Sequence, residues 1–173
     1  MAKSETKAVN RKSDIISAAI EVFAEVGYYR ATTAQVAERA SISQPYVFRF
    51  FATKEKLLLT ALEVSWTRVI ESFRKVVETA SPELLEKQLI QEYEEIQEKH
   101  QNEIFLQLQA QTIREEAIQE TMRAGFKEVR DMVWKAFHEA GIKNPEERTM
   151  LFLARGMLCN VALAIDMPEL MKG

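Results

Sequence analysis

Breaks are scarce in this chain. Only 5 glycines and 4 prolines punctuate its 173 residues, and between them apolar residues recur at i, i+3, i+4 and i+7, the spacing of one helix face. No alternating run bounded by turn residues, the mark of a half-buried strand, occurs. The expected fold class is therefore all-α. With 47% apolar and 28% charged residues, the chain reads as a soluble globular protein of one or two small domains, long enough to bury most of the surface its unfolded form exposes. The single Cys159 allows neither an internal disulfide nor a thiolate metal cage, which suits a reducing cytoplasm. No signal peptide or spanning segment is expected, and the polar, basic residues 1–14 read as a frayed arm.

Residues 11–27 predict the first helix, with Ile16, Ala19, Ile20, Phe23 and Ala24 as its buried stripe and Gly27 ending it in a left-handed conformation. Residues 32–58 then read as two short helices around a tight turn, followed by the start of a longer one. Thr32 and Gln35 have the spacing of a capping box, so a helix starts at Thr33 and buries Val36, Ala37 and Ala40. Ile42 plugs the turn, Ser43 is a good N-cap, and Pro45 occupies a first-turn position where a missing N–H costs nothing. In the helix from Gln44 to about Phe50, Val47, Phe50 and Phe51 point inward. Gln44, Pro45, Tyr46 and Arg49 look outward from the end that a recognition helix presents to base edges. This is the pattern of a helix-turn-helix.

Charge divides the chain at about residue 53. Residues 1–56 hold 9 Lys/Arg against 6 Asp/Glu, whereas the whole chain carries a net −3; the positive field a nucleic acid requires is local. The fourth helix is expected over residues 54–79, through Leu58, Leu62, Trp66, Val69 and Phe73. At about 1.5 Å per residue such a rod spans roughly 39 Å. Ser81-Pro82 starts a helix to about His100 with Leu84, Leu85, Leu89, Ile90, Tyr93 and Ile96 inside, and Asn102 caps a shorter one. Residues 115–140 form a long amphipathic helix that Gly141 ends, and the last helix follows Asn144-Pro145.

That last helix contains MLFLARGMLCNVALAI, where Arg155 and Asn160 are the clearly polar residues. A helix so apolar must be hidden almost all round, yet it is too short and interrupted for a membrane span of about 20 residues. Ala154, Gly156, Ala162 and Ala164 would let another helix approach closely. A homodimer through the last two helices explains this better than burial within one chain.

The run GYYRATTAQVAERASISQPYVFRFFATKEKLL resembles the N-terminal signature of the TetR family of bacterial transcriptional regulators: an aromatic after glycine, Thr-Thr, Val-Ala, a serine cap, aromatic-Arg, Phe, then Lys-Glu before leucines. The likeness covers roughly residues 11–60. It implies a DNA-binding domain over residues 1–53 and an effector-binding and dimerisation domain over residues 54–173. Thr33 and Lys54 match positions that resemble phosphate clamps, and both stand at helix N-termini, where free N–H groups face anions. Ser43 and Thr53 are the neighbouring caps. Gln44 can read adenine bidentately, Arg49 can reach guanine or phosphate, and Pro45 and Tyr46 offer apolar surface to thymine methyls. Phe48 departs from the pattern: many members carry a phosphate-contacting tyrosine there.

The resemblance implies a repressor whose two recognition helices, about 34 Å apart, read an inverted-repeat operator on double-stranded DNA, and which a small apolar or amphipathic effector releases. Trp66, Phe73, Tyr93, Phe105, Met122 and Phe126 are the candidate lining for that effector, although aromatic and Met stripes at helical spacing are also ordinary core. The first alternative is a DNA-binding protein without an effector, acting in chromosome organisation or under a protein partner, which a filled C-terminal core would favour. The other is a helical-bundle enzyme. Gln97 and Lys135 stand three residues before the two histidines, His100 and His138, so no Glu-x-x-His pair exists. No phosphate loop, Cys pair or nucleophile elbow appears either. No metal, cofactor or catalytic residue is expected.

Overall fold

In the computed structural model, which describes residues 2–172, the described residues form eight α-helices and a short 3-10 turn, with no strand. The helices are α1 (Ala2–Val26), α2 (Thr33–Arg39), α3 (Gln44–Phe48), α4 (Lys54–Thr79), α5 (Leu85–Lys99), α6 (Gln101–Ala110), α7 (Glu116–Glu139) and α8 (Pro145–Ala164).

The first three form the head. Ile15, Ala19 and Phe23 of α1 meet Val36 and Val47, all essentially buried. Gly27 adopts φ +76° and turns the chain out of α1. The capping box forms as expected: the Gln35 N–H donates to Thr32 Oγ1 at 3.2 Å, and the Thr32 N–H donates to Gln35 Oε1 at 2.9 Å. Ser41 takes the left-handed conformation, φ +54°, and the Ile42 N–H donates back to the Ala37 carbonyl, closing the turn between α2 and α3. Ser43 occupies the N-cap position of α3, but its side chain makes no capping bond. Pro45 in the first turn removes one of the N–H groups such a bond serves.

α4 runs from Thr53, whose hydroxyl accepts from the Lys56 N–H at 3.0 Å, to Thr79. Its central residues Leu57, Leu58, Ala61, Leu62, Trp66 and Phe73 are buried, because α1, α5, α6 and α7 all pack against it. α8 lies on α7 with one edge on α5 and α6, and the 3-10 turn Pro168–Met171 folds back onto it.

Three expectations need correction. α1 begins at Ala2 instead of following a frayed arm, since residues 2–9 are rich in Ala, Lys and Glu and contain no glycine or proline. Residues 82–84 form a turn, so α5 starts at Leu85 and Leu84 is exposed, not inside. α6 starts at Gln101 with His100 at its N-cap position, displacing Asn102 from that role.

Candidate nucleic-acid interface and inner cavity

α3 presents Ser43, Gln44, Pro45, Phe48 and Arg49 to solvent while Val47 anchors it. Tyr46 is half-buried, its ring edge-on to Phe50 at 5.4 Å, with the Arg49 guanidinium over its other side at 5.2 Å. Gln44 Nε2 donates to Thr33 Oγ1 at 2.9 Å, so the two helices of the motif are joined through side chains expected at the interface. Thr33 is itself buried. The helix pair is braced from behind: Arg39 of α2 bridges Glu21 and Glu25 of α1, each at 2.7 Å.

Lys54 is turned inward. Its Nζ donates to the carbonyls of Tyr28 at 2.8 Å, Ala31 at 3.0 Å and Tyr29 at 3.4 Å, and stands 4.7 Å from the centre of the Tyr28 ring. All three ammonium donors thus serve the α1–α2 connection. In the free chain the position expected to grip phosphate locks the loop preceding α2 onto the first turn of α4. Thr53 stays exposed beside it.

The head is also tied to the body through α6. Gln109 Nε2 donates to the Ala24 carbonyl at 2.7 Å, and Tyr29 Oη donates to a Glu115 carboxylate oxygen at 3.0 Å. Neither link follows any helical periodicity, and sequence reasoning missed both.

Within the body, α4, α5, α6, α7 and α8 surround a cavity of about 50 Å³, bordered at its outer rim by the exposed Glu94, Gln111 and Arg155. Trp66, Phe73, Tyr93 and Phe126 line it as expected. Phe105 and Met122 do not border it: Met122 is ordinary core and Phe105 is half-buried elsewhere on α6. The lining includes Gln107 and Asn160, which no aromatic pattern indicates. Tyr93 Oη and Gln97 Nε2 both donate to Asn160 Oδ1 at 2.9 Å, and Gln107 Nε2 donates to Ser65 Oγ at 2.7 Å. Burial pushes the Tyr93 phenol up to about 12 and raises the Cys159 thiol, so both stay neutral at physiological pH.

A third cluster joins α4 to the α5–α6 corner. Arg68 pairs with Glu103 and stands 2.7 Å from His100 Nδ1. Burial, then the nearby Arg68 and Lys99 charges, lower the His100 pKa, while burial raises that of Glu103. The other histidine, His138, stacks on Trp134. Among the described residues no three His, Cys, Asp or Glu side chains gather as a metal site, and no helix is long and apolar enough to cross a membrane.

Known proteins share both the head and the whole architecture. Residues 15–61 match the family described as bacterial regulatory proteins, tetR family. The HTH-type transcriptional activator FasR of Mycolicibacterium smegmatis is 30% identical over 71 residues, 41% of this chain and 32% of FasR. The chain thus matches about a third of that relative's length. A TetR transcription regulator from Haloarcula marismortui superposes with a TM-score of 0.79 at 23% identity, over 94% of this chain and 92% of that one. FadR from Bacillus subtilis, solved with stearoyl-CoA, gives 0.75 at 18% identity, over 89% and 88%. The head thus matches the TetR family of bacterial regulatory proteins over residues 15–61, and the whole chain shares the all-α fold of these solved regulators.

Proposed function

We propose that the chain is a sequence-specific, DNA-binding transcriptional regulator of the cytoplasm, a repressor released from an inverted-repeat operator by a small apolar or amphipathic effector. The observation that carries this is the outward presentation of Gln44, Pro45 and Arg49 on the second helix of a buttressed helix-turn-helix. Gln44 and Arg49 read base edges, Pro45 and Tyr46 meet thymine methyls, and Thr33, Ser43, Phe48 and Thr53 flank the sugar-phosphate backbone. Lys54 acts by holding residues 28–31 against α4 and by adding positive charge at its N-terminus.

A homodimer through α7 and α8 supplies the second reading head. α8 and its C-cap leave Leu151, Leu158, Val161 and Ile165 exposed, with Ala154 between the first two. The steps of three and four along this row are those of a helix-pairing seam. Two heads about 34 Å apart then enter successive major grooves.

The effector seats in the body, where apolar rings surround a few fixed polar groups. The Bacillus subtilis neighbour holds stearoyl-CoA, so long acyl compounds are the first ligands to test. A nearly filled core, about 50 Å³, supports a second reading: a DNA-binding protein without an effector. Selection of operators from a random duplex pool, then footprinting with and without acyl ligands, separates the two. A protected inverted repeat lost on ligand addition supports the first reading, and protection unmoved by any ligand the second. Binding without sequence preference overturns both.

A further inference from the structure

Trp66 separates two spaces. On one side lies the inner cavity of about 50 Å³; on the other, a groove of about 430 Å³ runs along the outer surface between α4 and α7, and the indole borders both. Its seat is Gly125 of α7. A Cβ at that position would fall 2.2 Å from the ring, so glycine is what lets the indole lie there. Beside it Phe126 meets the ring edge-on at 4.9 Å.

Trp66 is only 7% exposed. Among the described residues its Nε1 is the buried side-chain donor with no hydrogen-bond partner. Buried donors are almost always satisfied, and an acceptor brought to this one recovers the loss. Of the buried polar groups in the lining, Tyr93 is bonded to Asn160 and Gln107 to Ser65, which leaves the indole N–H as the buried donor open to a guest. A 50 Å³ cavity admits a water or two, far short of the roughly 300–1,000 Å³ of small-molecule sites. Joined to the groove, it reaches that range.

We propose that Trp66 is the gate of the effector site: the indole leaves its seat on Gly125, cavity and groove become one pocket, and its N–H donates to a carbonyl-type oxygen on an otherwise apolar ligand. This rests on reading the body as an effector domain. The rings of Phe73 and Phe152 take the apolar part, and closure of the indole behind it holds the ligand.

Two fluorescent probes test the gate on the full chain. 6-Propionyl-2-(dimethylamino)naphthalene carries a ketone; N-phenyl-1-naphthylamine is similar in size and has no carbonyl. Both should bind. Trp66→Phe should weaken the ketone probe about tenfold more than the other, the size of one net hydrogen bond. Trp66→Ala and Gly125→Ala should each speed association of both probes about tenfold or more, the second because its methyl displaces the ring while keeping the N–H. Equal weakening of the two probes by Trp66→Phe overturns the hydrogen bond, and unchanged association rates overturn the gate. Binding of neither probe to the unaltered chain overturns the effector reading itself. Circular-dichroism melting establishes that each variant is folded, and Trp66→Phe, which keeps a ring, decides the case if the alanine variants are not.

Discussion

Gln44 Nε2 donates to Thr33 Oγ1 across the turn of the helix-turn-helix, at 2.9 Å. The bond fixes, before DNA arrives, the rotamer of the side chain proposed to read a base. Gln44→Ala should therefore lose preference at one operator base pair, by about 1–3 kcal/mol. Thr33→Val removes the acceptor and keeps the shape, so it should lose part of the same preference while non-specific affinity holds. Titration of a panel of operator variants measures both; a uniform loss across the panel would demote Gln44 to a positioning residue.

Lys54 already has a carbonyl for each ammonium hydrogen. Lys54→Ala should lower the melting temperature by several degrees and weaken binding to all sequences alike. The slope of log K against log salt should change by well under one unit, because phosphate contact is not its main work. A full unit of change would show that the side chain swings out to phosphate in the complex.

Phe48 is 47% exposed on α3. Phe48→Tyr adds a hydroxyl at the interface and should raise operator affinity about fivefold, the size of one net hydrogen bond. Fluorescence anisotropy at constant salt measures this, and an unchanged affinity would place the ring away from the backbone.

Leu158 lies in the exposed apolar row of α8. In the proposed dimer, Leu158→Glu would set two carboxylates facing each other across the two-fold axis and should give a monomer in sedimentation velocity. Operator affinity should fall on the order of 100-fold or more, since the second half-site no longer binds as part of one molecule. A variant that remains dimeric would move the interface off this face.

His100 takes its proton less readily in the fold than its ordinary 6.5, through burial first and the charges of Arg68 and Lys99 second. The unfolded chain therefore binds the proton first as pH falls below about 6.5, and the fold loses stability there. Glu103, raised by burial, acts in the opposite sense, its contribution fading as pH rises through and above the carboxylate range. His100→Gln cancels only the first. The stability advantage of the natural chain over this variant should shrink from pH 7.5 to 5.5; parallel melting curves would show that His100 takes up its proton equally readily in the folded and unfolded chain.

Much of this was legible because it is written locally. The limits of α4 follow from Thr53 and the pattern after it, and α2 from Thr32 and Gln35, residues whose bonds span three positions. What escaped depends on separations no period encodes. Arg68 meets Glu103 across 35 residues, and Gln109 meets Ala24 across 85. Lys54 is expected at phosphate from its place at a helix N-terminus, and nothing in the sequence signals that its stem folds back onto three carbonyls. Phe105 and Met122 share the apolar spacing of the cavity residues but face other neighbours. The seat that Gly125 gives Trp66 has no sequence signal, since a space reserved for a ring 59 positions earlier leaves no mark in the sequence.

The head joins the body along two lines, the continuous rod of α4 and the packing of α1 on α6, where Gln109 clasps Ala24 and Tyr29 reaches Glu115. A body pinned at one point can tumble about it; a body pinned at two turns only about the line between them. The recognition helix is thus confined to an arc. In the proposed symmetric pair, two such arcs would alter chiefly the distance between the reading heads, so the operator would act as a ruler, and DNA with two base pairs added between half-sites should select the other end of the swing.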